Sequence, residues 1–475
     1  MSYDPQMCRE FAEEIVRRLR AAGFQALWAG GCVRDLLLGL LPSDYDVATS
    51  ATPEEVLRTL PYRAVTVGAS FGVVRVRHRR IPGIEVEVAT FRSDLAYVDG
   101  RRPSGVVYSS AELDAARRDF TINGLFMDPI TGDVIDYVGG LSDLRNLVLR
   151  AIGDPYERFR EDKLRLLRAV RFAARFHLNI EPTTRAALQS MAPQITVVSP
   201  ERVAQELRRM LVHETRALAL DLALEVGLIA AIAPELLEMR GLFQGKPMQP
   251  EADLWDHTLL VLKLLPSEPS FPLAFAALYH DVGKPKSRSD HHGRPSFHGH
   301  EVVGARIAED RCRELRLSNA ERERIVWLVA HHQYLGEAKR LRESKLKRIL
   351  AHPGIEELLA LHRADALAST GNTEQIDYCE YYLRNQPAGP INPPPLVTGH
   401  DLVRHGLRPG SSFATILERV REAQLDRRIQ SKREALEWID HFLEHGVWPD
   451  EPQPETAASF QANPQRCPDP PCHPG

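Results

Sequence analysis

The chain has 475 residues, a formal net charge of −4, 43% hydrophobic and 26% charged residues, and six cysteines. That length predicts three or four domains, and the near-neutral charge argues against a generic polyanion binder, so RNA contact must use local basic patches such as 158–175 and 339–348. Six cysteines make no disulfide framework, no apolar run is long enough to span a bilayer, and no basic-then-apolar leader opens the chain, so the expectation is a cytoplasmic protein without a membrane partner.

In chain order, residues 7–22 read as an amphipathic helix ended by Gly23, and the short strand Gln25–Trp28 leads into Gly30-Gly31. A double glycine lets backbone approach a phosphate closely, and Arg34 can bind phosphate oxygens in a bidentate fashion. Asp44 and Asp46 follow at i, i+2, a spacing that puts both carboxylates on one face of a strand. Hard oxygen ligands on one face suit Mg²⁺ shared with substrate phosphates, so Asp44 and Asp46 are the candidate catalytic metal ligands. Thr52 is the expected N-cap of a helix at 53–60. Two alternating β-branched runs, 71–77 and 84–90, read as strands, and Glu85 and Glu87 on the second share one face.

Residues 94–104 read as a loop with a basic pair, Arg101 and Arg102. From about 150 the pattern turns helical, with 158–176, 183–191, 201–212 and 215–232 carrying apolar residues at helical spacing. Asp162, Arg165 and Arg168 step i, i+3, i+6, which on one helix brings them near one face. A carboxylate beside a guanidinium offers an acceptor and donors to the Watson–Crick edge of cytosine or adenine, and leaves a group unpaired against guanine.

The second half holds an ordered series of metal-type ligands: His257, His280-Asp281, His300, His331 and Asp365. Histidine and carboxylate on neighbouring helices can converge on a divalent cation. Five prolines in 387–395 break helical structure, a last helical segment follows, and 450–475, nearly free of large apolar residues, is expected to be disordered.

The string Gly30-Gly-Cys-Val-Arg-Asp-Leu-Leu-Leu-Gly39 followed by Asp44-Tyr-Asp46 resembles the head of class II tRNA nucleotidyltransferases (CCA-adding enzymes) and bacterial poly(A) polymerases. The resemblance implies an α+β protein: a small mixed α/β head over 1–150, a helical neck or RNA-binding region over 151–245, an HD phosphohydrolase-like domain over 250–370 and a C-terminal helical segment over 396–447. It implies addition of C and A nucleotides to the 3′ end of tRNA from CTP and ATP, with Mg²⁺ at the head. The strand ending Ala-Thr-Phe-Arg92 is similar to the family's, which selects Glu87 as the third catalytic carboxylate. Arg117-Arg-Asp-Phe-Thr-Ile-Asn-Gly124 is similar to another family string, implying Arg118 on triphosphate, Asp119 on ribose and Asn123 near the sugar or a phosphate. Gly124 stands where the family usually has alanine. Glu161-Asp-x-x-Arg165 is similar to its nucleotide-selecting element.

The loop at 94–104 looks like the family's switch from C to A addition, and Val67–Val73 lacks the arginines typical of poly(A) polymerases. The histidine series resembles an HD domain, with His257, His280, Asp281 and Asp365 as core ligands and His300 and His331 as additional ones, for a divalent transition metal. That domain is expected to act as a phosphatase or phosphodiesterase.

Overall fold

The computed structural model describes residues 5–66, 72–81, 83–94, 106–243, 253–291, 294–385 and 390–451. The expected switch loop, most of the 67–73 run and the 452–475 tail lie outside the described residues. The chain divides into two compact units, Met1–Gly336 with Glu356–Asp377, and Glu337–Ile355 with Tyr378–Gly475.

The first unit opens with the helix Pro5–Ala21, whose buried face is Cys8, Phe11, Ala12, Ile15, Val16 and Leu19. It covers a seven-stranded sheet made from β1 (Ala26–Ala29), β2 (Asp46–Thr49), β3 (Arg63–Thr66), β4 (Val73–Arg77), β5 (Glu85–Thr90), β8 (Leu125–Met127) and β9 (Val134–Asp136). Their order is β3-β4-β5-β2-β1-β8-β9, while β6 (Arg92–Asp94) and β7 (Val106–Tyr108) form a separate ribbon. Within this sheet, among the described residues, β2 and β5 are the parallel neighbours, in a register that puts Asp46 beside Glu87. The Thr52 expectation holds as a complete capping box, with Glu55 returning the hydrogen bond.

The helical run expected over 158–176 is two helices, Pro155–Glu161 and Leu164–Arg175. Asp162 breaks it with φ −145° and ψ 106°, and its Oδ1 accepts the Leu164 N–H at 3.0 Å. Aspartate competes well for such a backbone donor, and the sequence spacing cannot register that competition. The one-helix placement of Asp162, Arg165 and Arg168 is therefore corrected. The run expected over 215–232 also divides, at Gly227 with φ +83°.

Behind the head, Leu164–Arg175 packs on Pro200–Leu211, tied by the buried Arg171–Glu206 pair at 2.6 Å. The helices Leu254–Leu264, Phe271–Tyr279, His300–Glu314, Asn319–His331 and Ile355–Ser369 follow in the same unit. Among the described residues no helix is long and apolar enough to cross a membrane.

The second unit has its own core of Val397, Leu402, Ile416, Val420, Ile429, Ile439 and Trp448. The helix Glu343–Leu350 joins it: buried Lys347 donates to the Leu425 carbonyl at 2.6 Å, and the Ser344 N–H donates to Asp426 at 2.7 Å.

Candidate functional site

The cleft of the first unit is built from the sheet rim upward. Trp28 on β1 stacks at a tilt on Tyr45, 4.8 Å between centroids, and this buried contact turns the flanking Asp44 and Asp46 the other way. The strand begins only at Asp46, so Asp44 sits on the turn entering it. Both line a cavity of about 1190 Å³. Water of the cleft reaches one side of Asp46, but surrounding protein, then Asp44 and Glu87, push its carboxyl up to about 7.

Glu87 lies beside Asp46 in register but is half exposed and paired with Arg75 at 2.9 Å. These crowded hard oxygens, two of them open to the cleft, suit an ion that keeps several ligand positions for water and phosphate, which is the habit of Mg²⁺.

Gly30 has φ +74°, and a side chain there would meet Arg118 Nη1 at 2.6 Å. The glycine thus serves both backbone conformation and the close approach of an arginine. Arg34 is buried: it donates to Asp35 at 2.8 and 2.6 Å and to Asn123 Oδ1 at 2.6 Å, and lies 4.3 Å from the Phe176 ring centre. Burial lowers its pKa. Arg118 donates to Asp114 and to the Asn123 carbonyl, the latter at 3.2 Å.

Asp119 accepts from the Phe120 N–H, from Asn123 Nδ2 at 3.0 Å and from Arg168 at 2.8 and 2.6 Å. Burial works to raise its pKa, but the Arg168 guanidinium and Asn123 amide hold it well below the usual carboxylate range. Arg168, selected as a nucleotide-binding residue, thus meets Asp119 in this state.

Asp162 and Arg165 both line the cavity, the Arg165 N–H donating to the Asp162 carbonyl at 3.0 Å while each side chain is held by another residue. Asp162 is held by Arg202, at 3.2 and 2.8 Å, and Arg165 by Glu161 at 2.6 Å and by the carbonyls of Arg158 and Arg117. Arg202 and Arg209, two turns apart on Pro200–Leu211, also line the cavity, as do Arg171 and Arg175. The basic patch at 158–175 contained the last two. Arg202 and Arg209 carried a sequence signal only as same-face cations seven residues apart.

The second cluster is closed. His257, His280 and Asp365 offer ligand atoms within 4.8 Å of one another, and so do Asp281, His300 and His332. His332, not His331, completes the second trio, which corrects the sequence expectation. His332 is 1% exposed, with Nε2 at 3.2 Å from His300 Nε2 and 3.5 Å from Asp281. His331 turns outward, its Nδ1 at 2.8 Å from the Trp327 carbonyl and its ring stacked on Trp327. One helical residue rotates direction by about 100°, so an adjacent His-His pair can place only one ring inward.

His280, His300 and His332 each set Nδ1 against a carbonyl three residues back, at 2.8, 2.7 and 2.8 Å. This fixes Nε2 inward, the usual outer support of a metal-bound imidazole. Asp281 lies between the trios, 3.2 Å from both His280 and His300, with buried Lys284 at 2.6 Å. Burial works against the Asp281 carboxylate, but His280 and Lys284 hold its pKa well below the usual range. Asp281 Oδ1 and His280 Nε2 are buried and face other ligand-type atoms of the cluster, an inward set that fits a divalent cation.

Gly283 follows the helix that leads to His280 and Asp281 with an ordinary φ of −78°, and its function is contact: a Cβ would lie 2.1 Å from the His300 carbonyl.

A mixed sheet with carboxylates on its rim and an arginine-lined cleft behind them is the architecture of a nucleotidyltransferase head. Residues 26–150 match the family model described as poly A polymerase head domain, 177–239 the one described as probable RNA and SrmB-binding site of polymerase A, and 254–370 the HD domain. The CCA-adding enzyme of Bacillus licheniformis is 37% identical over 54% of this chain and 64% of its own length. The CCA-adding enzyme of Lactobacillus helveticus is 29% identical over 90% of this chain and 95% of its own. The match thus spans less than two thirds of the first relative and nearly all of the second.

The structure of the Bacillus stearothermophilus CCA-adding enzyme in complex with CTP superposes with a TM-score of 0.71 at 25% identity, covering 93% of this chain and 99% of that one. The matched stretches, in the order head, RNA-binding region and HD domain, and the superposed structure make the chain similar to poly(A) polymerase heads and CCA-adding enzymes.

Proposed function

We propose that the chain adds C and A to the 3′ end of tRNA, using CTP and ATP. The observation that carries this reading is that one cavity joins the Asp44–Asp46 rim to Asp162 and Arg165, so a triphosphate and a base edge can be held together. Asp44 and Asp46, with Glu87 beside them, would hold Mg²⁺, which would supply charge neutralisation at the reacting phosphate and acidify the attacking 3′-hydroxyl, as in two-metal sites. Arg34 and Arg118 border the triphosphate position. Asp119 is the acceptor for the ribose hydroxyls and Asn123 orients it. Arg168, bound to Asp119, holds that carboxylate ionised and pointed at the sugar.

In the transfer, the RNA hydroxyl oxygen bonds the α-phosphorus as the bond to the bridging oxygen breaks, and pyrophosphate leaves. Base choice rests with Asp162 accepting the exocyclic amine of C or A and Arg165 donating to its ring acceptor, while guanine leaves a group unpaired.

The HD cluster is read as a metal-dependent phosphatase or phosphodiesterase, with His257, His280 and Asp365 on one side of Asp281 and His300 and His332 on the other. The test of the first reading supplies tRNAs ending before the first C, after one C and after two Cs. Addition of C, C and A in turn supports it. A-only extension of the last substrate gives an A-adding enzyme instead, and long A tracts give a poly(A) polymerase.

A further inference from the structure

Local carbonyls aim three imidazoles of the HD cluster, but the spacing between its two trios depends on how the ligand-bearing helices sit against one another. Two carboxylates from the neck, outside the matched HD stretch 254–370, act on those helices. Glu235, in the short turn Pro234–Met239, has a side chain only 12% exposed. Its Oε1 accepts from the Tyr279 hydroxyl at 2.6 Å and from Arg311 Nε at 2.9 Å, and its Oε2 accepts from Arg311 Nη2 at 2.7 Å. Tyr279 is buried, stacks on Phe275 and immediately precedes His280 at the end of the helix Phe271–Tyr279. Arg311 lies on the helix His300–Glu314, eleven residues beyond His300. That interval is about three helical turns, so Arg311 and His300 share a face. Asp221, on the helix Arg216–Glu225, accepts from Trp255 Nε1 at 3.3 Å, two residues before His257.

We infer that Glu235 is a positioning residue of the HD metal centre: it locks the helix that leads to His280 against the helix that begins at His300, and so sets the two histidines on either side of Asp281. This rests on the metal-dependent HD reading above. A carboxylate that takes a guanidinium on both oxygens fixes direction as well as distance, and a buried one whose three donors have no other role is costly to disturb. Asp221 supports the helix of His257 in the same manner through a single, longer bond. The metal centre is therefore framed from the neck, and because coupling is reciprocal, an ion bound at the cluster tightens the turn Pro234–Met239.

The test uses the full chain titrated with Co²⁺, read by the visible absorption of histidine-ligated metal, with hydrogen exchange followed over 234–239. Glu235→Gln keeps the volume but loses the charge and one acceptor. It is expected to weaken Co²⁺ binding at the cluster about tenfold and to shift the absorption bands, with CTP incorporation into tRNA within about twofold of wild type. Tyr279→Phe removes one of the three bonds and is expected to weaken binding about threefold; it decides alone if Glu235→Gln does not fold. In the wild type, Co²⁺ is expected to slow exchange in the neck turn about threefold, and in Glu235→Gln to leave it unchanged. A Glu235→Gln chain with a lowered melting temperature but wild-type Co²⁺ affinity and bands marks a merely structural contact and overturns the inference. A wild-type chain that binds no Co²⁺ at the cluster overturns the HD reading instead.

Discussion

The two polar centres of the first unit are organised in opposite ways. In the cleft, side chain holds side chain: Arg34 holds Asn123, Asn123 and Arg168 hold Asp119, and Arg202 holds Asp162. In the HD cluster, backbone holds side chain: three imidazoles are aimed by carbonyls three residues back, and Gly283 lets the His300 backbone close on the turn after Asp281. The first arrangement can trade partners at little cost, because each protein contact given up is replaced by a charged substrate contact. The second cannot trade, and it presents one geometry to whatever enters. On the proposed function, a site that accepts C, then C, then A benefits from the first kind. A site that must hold an ion benefits from the second.

The largest expected effect breaks the cleft while sparing the cluster. Asp46→Asn removes a charge from the rim and should lower nucleotide incorporation by about 10³-fold or more, in an assay of labelled CTP into tRNA, with metal uptake at the HD cluster unchanged. Loss of both would show that the two centres are not separately organised. The next effect is the converse. His332→Ala should weaken divalent-metal binding at the HD cluster by 10- to 100-fold or more, measured by competition titration, because it removes an inward Nε2. His331→Ala, which unstacks a ring from Trp327 outside the cluster, should leave that affinity within about twofold. Equal losses from the two would refute the placement of His332.

This His331–His332 pair shows where the sequence stopped being legible. The head motif was readable because glycine, arginine and carboxylate at those spacings are rare together, and the structure does bring Gly30, Arg34, Asp44, Asp46, Arg118, Asp119 and Asn123 to one cavity. The order of the HD ligands was readable for the same reason. Which of two adjacent histidines faces inward depends on the phase of a helix whose apolar residues lie on more than one side, and one residue of phase error changes the answer.

The break at Asp162 was hidden by the same logic in reverse. Apolar spacing continues through 158–176, so nothing in the periodicity marks a side chain that captures the Leu164 N–H and ends a helix. Arg202 was legible only as a cation sharing a helix face with Arg209, because its meaning lies in a partner 40 residues away.

That partner sharpens the comparison further. Arg202→Ala releases Asp162 from a double contact but leaves its carboxylate in the cleft. If side-chain contacts aim the cleft, the freed carboxylate should read bases less well, and discrimination of CTP against GTP should fall by about tenfold, the value of one charged hydrogen bond. kcat with CTP should change less than selectivity. Selectivity equal to wild type would mean that the Leu164 N–H alone aims Asp162.

The smallest effect concerns Gly124, where the family usually has alanine. An added Cβ would lie 2.6 Å from Val138 Cγ2 and 3.3 Å from Ile152 Cδ1, both ends of side chains and not backbone. Gly124 has φ −90°, which alanine adopts without strain, so the outcome turns on whether Val138 can rotate away. Overpacking of this kind costs about 1–3 kcal/mol, offset by up to about 1 kcal/mol from the stiffer unfolded chain. Gly124→Ala should therefore lower the melting temperature by a few degrees, and Gly124→Ala with Val138→Ala should recover part of it. Gly283→Ala meets a carbonyl at 2.1 Å that no rotamer can clear, so the double-variant rescue available in the head has no counterpart in the cluster. A Gly124→Ala protein that melts above wild type would show that Val138 yields freely, and that the head tolerates the family's alanine after all.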